Sequence, residues 1–292
     1  MRNDKRLIIV AGATASGKTV RAIELAKHYA TDIVSCDSRQ FYSELNIGVA
    51  RPTPDELAAA QHHFVAFRSV CNPYNIFDFE QDALALLQRL FESHDVVVAV
   101  GGSGLYIDAL INGVARLPDP LPGLRASLKQ RLAEKGIESL REELQRLDPD
   151  YYAVVDRQNP IRLQRALEVC LTAGRPYSQL IAEQQNVARP FAIDVEMVGR
   201  EPAELRERIN RRVDAMMASG LYEEVCGVWH LQHLNTLHTV GYREFFEYGT
   251  PDEAARHTGE IAAQIKLNTW HYAKKQLTWF KKKLGEHRLK EE

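Results

Sequence analysis

The chain is short of the features that mark membrane, secreted and indiscriminate nucleic-acid-coating proteins. Its four cysteines, Cys36, Cys71, Cys170 and Cys226, lie far apart with no paired spacing. That excludes a zinc-ribbon pattern and a disulfide framework, and it fits a reducing cytosol. No apolar run approaches the length of a membrane span or a signal peptide, so a soluble, cytoplasmic protein without a membrane partner is expected. Neither sign of charge dominates, with 37 Lys and Arg against 39 Asp and Glu and a net charge of −2. Such a balance argues against a protein that coats nucleic acid at large and leaves local basic patches to be read one by one. Internal repeats and low-complexity segments are absent too. What the chain does have is size: 292 residues, 45% of them hydrophobic, are enough for a core with one substantial insertion, or for two domains.

The strongest signal is Gly12-Ala13-Thr14-Ala15-Ser16-Gly17-Lys18-Thr19, which directly follows the apolar run Leu7-Ile8-Ile9-Val10 and opens the helical pattern from Val20 to Leu25. A strand ending in a glycine-rich turn aims successive backbone N–H groups into one hollow, and the helix behind it adds its positive dipole end. Di- or triphosphate chemistry is therefore expected. Lys18 is placed to reach the terminal phosphates, and the Thr19 hydroxyl to hold a magnesium ion bridging phosphate oxygens.

Strand and helix signals alternate over the first third. Ile33–Ser35, His63–Phe67 and Val96–Val100 are short β-branched or aromatic runs separated by helical stretches, which predicts a parallel sheet flanked by helices and an α/β fold class. The tract Leu117-Pro118-Asp119-Pro120-Leu121-Pro122-Gly123 breaks that rhythm and marks a domain junction. From Leu124 to Gln185 leucines recur at helical spacing without a strand, the pattern of an inserted all-helical domain. Phe191–Val198 alternates like a strand, returning the chain to the sheet. Two closing helices are expected, Pro202–Ser219 and Thr258–Leu284. The expected domains are a catalytic core over 1–116 and 189–292 and a helical insertion over 117–188.

Two further loops fall at the same sheet edge, where open α/β sheets bind ligands. Ser35-Cys36-Asp37-Ser38-Arg39-Gln40 places a carboxylate beside the phosphate loop, and Gly101-Gly102-Ser103-Gly104-Leu105-Tyr106 is a second glycine turn. From position alone Asp37 is equally an active-site base or a helix N-cap. Together the three loops have the layout of a group-transfer site.

These blocks, with Ile47-Gly48-Val49-Ala50-Arg51-Pro52-Thr53, Asn159 to Glu168, Val240-Gly241-Tyr242-Arg243-Glu244 and Ala273 to Trp279, resemble the tRNA dimethylallyltransferase (isopentenyltransferase) family in order and spacing across nearly the whole chain. The resemblance implies a P-loop-type core that transfers a dimethylallyl group from dimethylallyl diphosphate to the exocyclic amine of the adenine 3′ of the anticodon. Gly12 to Thr19 would then hold diphosphate rather than ATP, with Thr19 on Mg2+. Asp37 is implied as general base and Ser103 as a neighbour of the flipped adenine. Arg208 and Arg212, one turn apart beside the stripe Leu205, Ile209, Val213 and Met216, are read as a diphosphate clamp or, alternatively, as a solvated helix face.

The implied tRNA contacts are Asp37, Ser38, Arg39, Gln40, Ser103, Arg125, Ile161, Arg162, Leu163, Gln164, Arg165, Lys274 and Lys275, with Arg162 and Arg165 on phosphates of the anticodon stem-loop. The last helix mixes basic and aromatic residues, a composition suited to RNA backbone contact and base stacking, although Trp279 and Phe280 are read mostly as packing. Three positions depart from the family pattern: Ala13 stands where proline is usual, Ser103 where threonine is usual, and Trp270 where an arginine commonly follows Thr269. A monomer of bacterial type is expected. The alternatives in view are a P-loop small-molecule or nucleotide kinase, and an adenylate isopentenyltransferase acting on free nucleotide.

Overall fold

The computed structural model describes residues 5–72, 74–183 and 188–284. Five strands, β1 (Arg6–Ala11), β2 (Ile33–Ser35), β3 (His62–His63), β4 (Val96–Gly101) and β5 (Ala192–Met197), form one sheet in the order β3-β2-β4-β1-β5, parallel throughout. The helices are α1 (Lys18–Tyr29), α2 (Pro54–Ala59), α3 (Ile76–Ser93), α4 (Gly104–Asn112), α5 (Leu124–Lys135), α6 (Glu138–Leu147), α7 (Pro149–Val154), α8 (Pro160–Ala173), α9 (Tyr177–Ala182), α10 (Pro202–Ala218), α11 (Leu221–Val228), α12 (Arg243–Phe246), α13 (Pro251–Arg256) and α14 (Thr258–Lys283). The chain divides into two compact units, 1–111 with 189–292, and 112–188.

The central strands β1 and β4 are apolar on both faces because both are covered. Leu7, Ile9, Val97, Ala99 and Val195 point into the larger core, with Phe79, Ala83 and Leu87 of α3, Ile107 and Leu110 of α4, and Ile261 and Ile265 of α14. Ile8, Val10, Ile33, Val98 and Val100 point the other way, onto Ala22, Ile23, Leu25 and Ala26 of α1. Truncating a fully buried strand residue such as Leu7 to alanine would cost about 2–5 kcal/mol. β1 pairs with β4 in the register Leu7↔Val97 and Val10↔Val100, so the phosphate loop and the Gly101 turn leave the sheet side by side.

Two sequence expectations are corrected here. The run His63–Phe67 is a strand only over His62–His63, because Phe64 (φ 60°) and Ala66 (φ 50°) adopt left-handed backbone that cannot continue a ladder. Tertiary packing overrides β-propensity there: Phe64 and Phe67 join Phe41, Tyr74, Phe79 and Tyr106 in one aromatic cluster with ring centroids 5.1–6.5 Å apart. In addition, the pair of closing helices is accompanied by α11, α12 and α13 between them, each too short to show a clear 3.6-residue period.

The unit 112–188 contains α5 to α9 and, among the described residues, no strand. Gln185, the end of the expected helical stretch, lies outside the described residues. Leu128, Leu140, Leu144, Val155, Leu163, Ala166 and Leu167 form its core. One buried carboxylate is fully satisfied from within the unit. Asp148, fully buried, caps α7 by accepting from Tyr151 N (3.0 Å) and also accepts from Ser178 N and Oγ (2.7 Å each). Pro149 and Pro160 occupy first-turn positions, where no N–H is needed.

Candidate active site

The first unit has a cavity of about 710 Å³ at the C-terminal ends of β1, β2 and β4. Gly17 (φ 99°) caps α1, and with Ala15 (φ 63°) it turns the chain into the run of left-handed residues that gathers N–H groups into an anion hollow. Thr14, Ala15, Gly17, Lys18 and Thr19 line the cavity, whereas Gly12, Ala13 and Ser16 are buried beneath the loop. Ser16 Oγ is buried and has no hydrogen-bond partner among the described residues.

Three cations converge on this loop. Lys18 Nζ donates to Ala13 O (2.7 Å), Arg208 Nε to Ala15 O (2.8 Å) and an Arg212 guanidinium nitrogen to Thr14 Oγ1 (3.2 Å). Arg208 and Arg212 thus both reach the loop, as their spacing beside the buried Leu205, Ile209 and Val213 allows, while the Arg208 side chain stays partly exposed, 3.8 Å from Glu204. Burial lowers the Lys18 pKa to about 8, with Arg212 pushing the same way and Asp37 opposing. The same burial lowers the Arg212 pKa, against the pull of Asp37 and Glu56. Both cations therefore favour an anion that would repay their desolvation.

Asp37 lines the same cavity from the loop after β2. Its Oδ1 accepts from Arg39 N (3.1 Å), an Asx turn, and no helix begins there, so the N-cap reading does not apply. Ser38 N donates to Ser103 Oγ (3.2 Å), and the Ser38 and Ser103 hydroxyls are 3.3 Å apart, which ties the Asp37 loop to the turn after β4. Ser38, Arg39 and Gln40 line the cavity too. Arg39 donates to Thr236 O (2.9 Å), and the Gln40 amide donates to Ala50 O (2.9 Å), holding the loop 46–51 against the cavity. From the other side Glu224 accepts from Ile47 N (2.7 Å), Gly48 N (3.0 Å) and Tyr242 Oη (2.5 Å).

Lys274 and Lys275 are exposed on α14 and do not line the cavity; Lys274 sits 5.6 Å from the Trp270 ring centroid. Arg125, Ile161, Arg162, Leu163, Gln164 and Arg165 belong to the helical unit. Arg125 pairs with Glu168 through two bonds (2.7 and 3.0 Å) and Arg165 pairs with the same carboxylate at 3.4 Å, while Ile161 and Arg162 are exposed. Leu163 is corrected: it is fully buried in the core of that unit, where its side chain has no surface to offer RNA.

Several lining residues lay outside the sequence reading. Tyr272 of α14 reaches the cavity, its pKa raised to about 12 by burial first and Asp37 next, so its hydroxyl stays protonated. Gln276, one turn on, is buried and bonded to both the phosphate loop and the Gly102 turn. The sequence carries a signal for it, a polar residue at the buried spacing of Ala273 and Phe280, which the basic and aromatic residues of the same helix mask.

Residues 40–283 match the family model described as IPP transferase. The chain is 44% identical over 285 residues to the tRNA dimethylallyltransferase of Christiangramia forsetii, covering 94% of this chain and 90% of that protein. It is 43% identical to tRNA dimethylallyltransferase 1 of Bacteroides thetaiotaomicron, covering 94% and 88%. Among solved structures, the full-length tRNA isopentenylpyrophosphate transferase of Bacillus halodurans superposes with a TM-score of 0.65 at 29% identity, covering 96% of this chain and 88% of that one. A eukaryotic dimethylallyltransferase acting on tRNA shares the fold, with a TM-score of 0.77 at 23% identity over 96% and 71%. The P-loop-like core with its helical insertion, and a likeness that runs through nearly every block of the sequence, make this chain a member of the IPP transferase family.

Proposed function

We propose that this enzyme transfers the dimethylallyl group of dimethylallyl diphosphate to the exocyclic amine of the adenine 3′ of the anticodon in tRNA. The observation that carries the reading is the meeting, in one cavity, of a cation-lined phosphate loop and a carboxylate held by an Asx turn. The C1–O bond to diphosphate breaks, the diphosphate leaves with the electron pair, the C1–N bond forms, and the amine proton passes to Asp37. Lys18, Arg208 and Arg212 stabilise the charge that develops on the leaving oxygens, and fixed donors in a half-buried site act there without reorganising. Asp37 lowers the barrier for an amine whose lone pair is delocalised into the ring.

Magnesium is implied by the phosphate-loop chemistry. Among the described residues no group of three or more His, Cys, Asp or Glu can hold a metal unaided. Mg2+ binds through one or two protein oxygens, waters and substrate phosphates, so a donor set of Thr19 Oγ1 and diphosphate oxygens fits it. When bound it would offset charge on the leaving group.

Splaying an adenine from a loop is cheaper than from a duplex, which suits a target beside the anticodon. Ser38, Arg39 and Ser103 supply base-edge groups, Lys274 and Lys275 backbone charge, and Ile161, Arg162, Gln164, Arg165 and Arg125 the helical unit's contacts with the anticodon stem-loop. The protein works as a monomer in this reading. Incubating it with radiolabelled dimethylallyl diphosphate, Mg2+ and bulk tRNA should turn label acid-insoluble. Label that stays acid-soluble contradicts the reading.

A further inference from the structure

We propose that Gln276 is a positioning residue that couples the phosphate loop to the turn carrying Ser103, and so sets the distance between the leaving diphosphate and the attacking amine. The inference rests on the transfer reaction proposed above. Gln276 is only 7% exposed, on the face of α14 that otherwise buries Ala273 and Phe280. Its Oε1 accepts from Thr14 N (2.9 Å) and its Nε2 donates to Gly102 O (2.8 Å). The two bonds run in opposite senses, so the amide has one satisfied orientation. An apolar residue would suit the stripe but would leave a loop N–H and a turn carbonyl without these partners.

The position of this bridge is what gives it a role beyond anchoring a helix. On one side, the Thr14 hydroxyl accepts from Arg212, so the residue that Gln276 holds also belongs to the cation-lined face of the loop. On the other, Gly102 precedes Ser103, whose Oγ accepts from Ser38 N, next to Asp37. A run of hydrogen bonds and one peptide link thus joins the diphosphate side to the base side through a buried amide, past the point where the pairing of β1 with β4 ends at Ala11 and Gly101. In group transfer, an error of about 1 Å between reacting atoms costs roughly a hundredfold in rate.

Two variants test this, Gln276→Met, which removes both bonds, and Gly102→Ala, whose Cβ would lie 2.5 Å from Gln276 Nε2 and push the amide aside. The first readout is hydrogen exchange over residues 99–106 with and without inorganic diphosphate and Mg2+. The wild type should show slowed exchange when diphosphate binds the neighbouring loop, and both variants should lose that slowing while binding diphosphate within a few-fold of wild type. No slowing in the wild type, or slowing retained in both variants, overturns the proposal. The second readout is single-turnover transfer, expected to fall roughly 10- to 100-fold with little change in KM for either substrate. A rate loss that merely tracks lost diphosphate affinity and lowered thermal stability would reduce Gln276 to a structural residue. Should no label reach tRNA even with wild type, the transfer reading fails, and the exchange result still decides the coupling.

Discussion

The helical unit and the phosphate-loop cavity treat charge in opposite ways, although elsewhere the α/β unit pairs its cations with carboxylates too, as Arg189 with Glu80 and Arg21 with Glu196. In the helical unit Glu168 takes both Arg125 and Arg165, and Asp148 is closed by three donors from Tyr151 and Ser178. In the α/β unit Lys18 and Arg212 make their hydrogen bonds to a loop carbonyl and a hydroxyl, with burial depressing the pKa of each. Carboxylate-paired charge of the first kind makes a scaffold that presents a surface. Cations held against backbone, in a cavity that also contains Asp37, are poised for an anion the protein does not itself supply.

Asp37→Asn should show the contrast most strongly. Asparagine retains the acceptor for the Asx turn but not the base, so single-turnover modification should drop by about 10² to 10⁴ while tRNA and diphosphate affinities stay within a few-fold. Full-speed turnover by this variant would refute the base assignment. Lys18→Ala removes one of the loop's donors to developing charge, with an expected loss of about 10² to 10³ in turnover and ATP no better than a competitor. Near-normal activity would show that the loop's cations are redundant.

The scaffold side is tested by stability and salt. Asp148→Ala strands three donors in the helical core and should destabilise by about 1–3 kcal/mol, seen in thermal melts, with inorganic diphosphate binding unchanged. Replacing Arg162 and Arg165 together with alanine should reduce the salt slope of tRNA binding by about 2, while dimethylallyl diphosphate binds as before. An unaltered slope would return both arginines to the scaffold.

The smallest effect is on pH. Because the Lys18 pKa is lowered to about 8, the free enzyme loses that charge as pH rises through 8. KM for dimethylallyl diphosphate should therefore climb a few-fold above that pH. kcat should hold longer, since a bound anion raises the lysine pKa again. A flat KM profile would show that the charge is not felt by the substrate.

Much of the site was legible because local chemistry wrote it. The phosphate loop between β1 and α1 needs glycine at left-handed and crowded positions, and strand ends fix the placing of Asp37 and Ser103. Long periodic helices such as α10 and α14 read cleanly for the same reason. What failed was what depends on distant partners: β3 stops at His63 because Phe64 turns into an aromatic cluster built from four other segments, and α11 to α13 are each under three turns. Leu163 stands between the polar Arg162 and Gln164, which groups it with the surface, whereas its helical spacing from Ala166 and Leu167 places it inward. Gln276 bonds to residues 262 and 174 positions away, a separation at which no periodicity carries information.

The most direct test of the whole account is to treat tRNA with the wild-type protein, Mg2+ and dimethylallyl diphosphate, digest it to nucleosides, and locate the added group by mass spectrometry. A dimethylallyl group on the exocyclic amine of the adenine 3′ of the anticodon is the predicted result. Unmodified tRNA, a group placed on another base, or a phosphorylated product formed from ATP would contradict it.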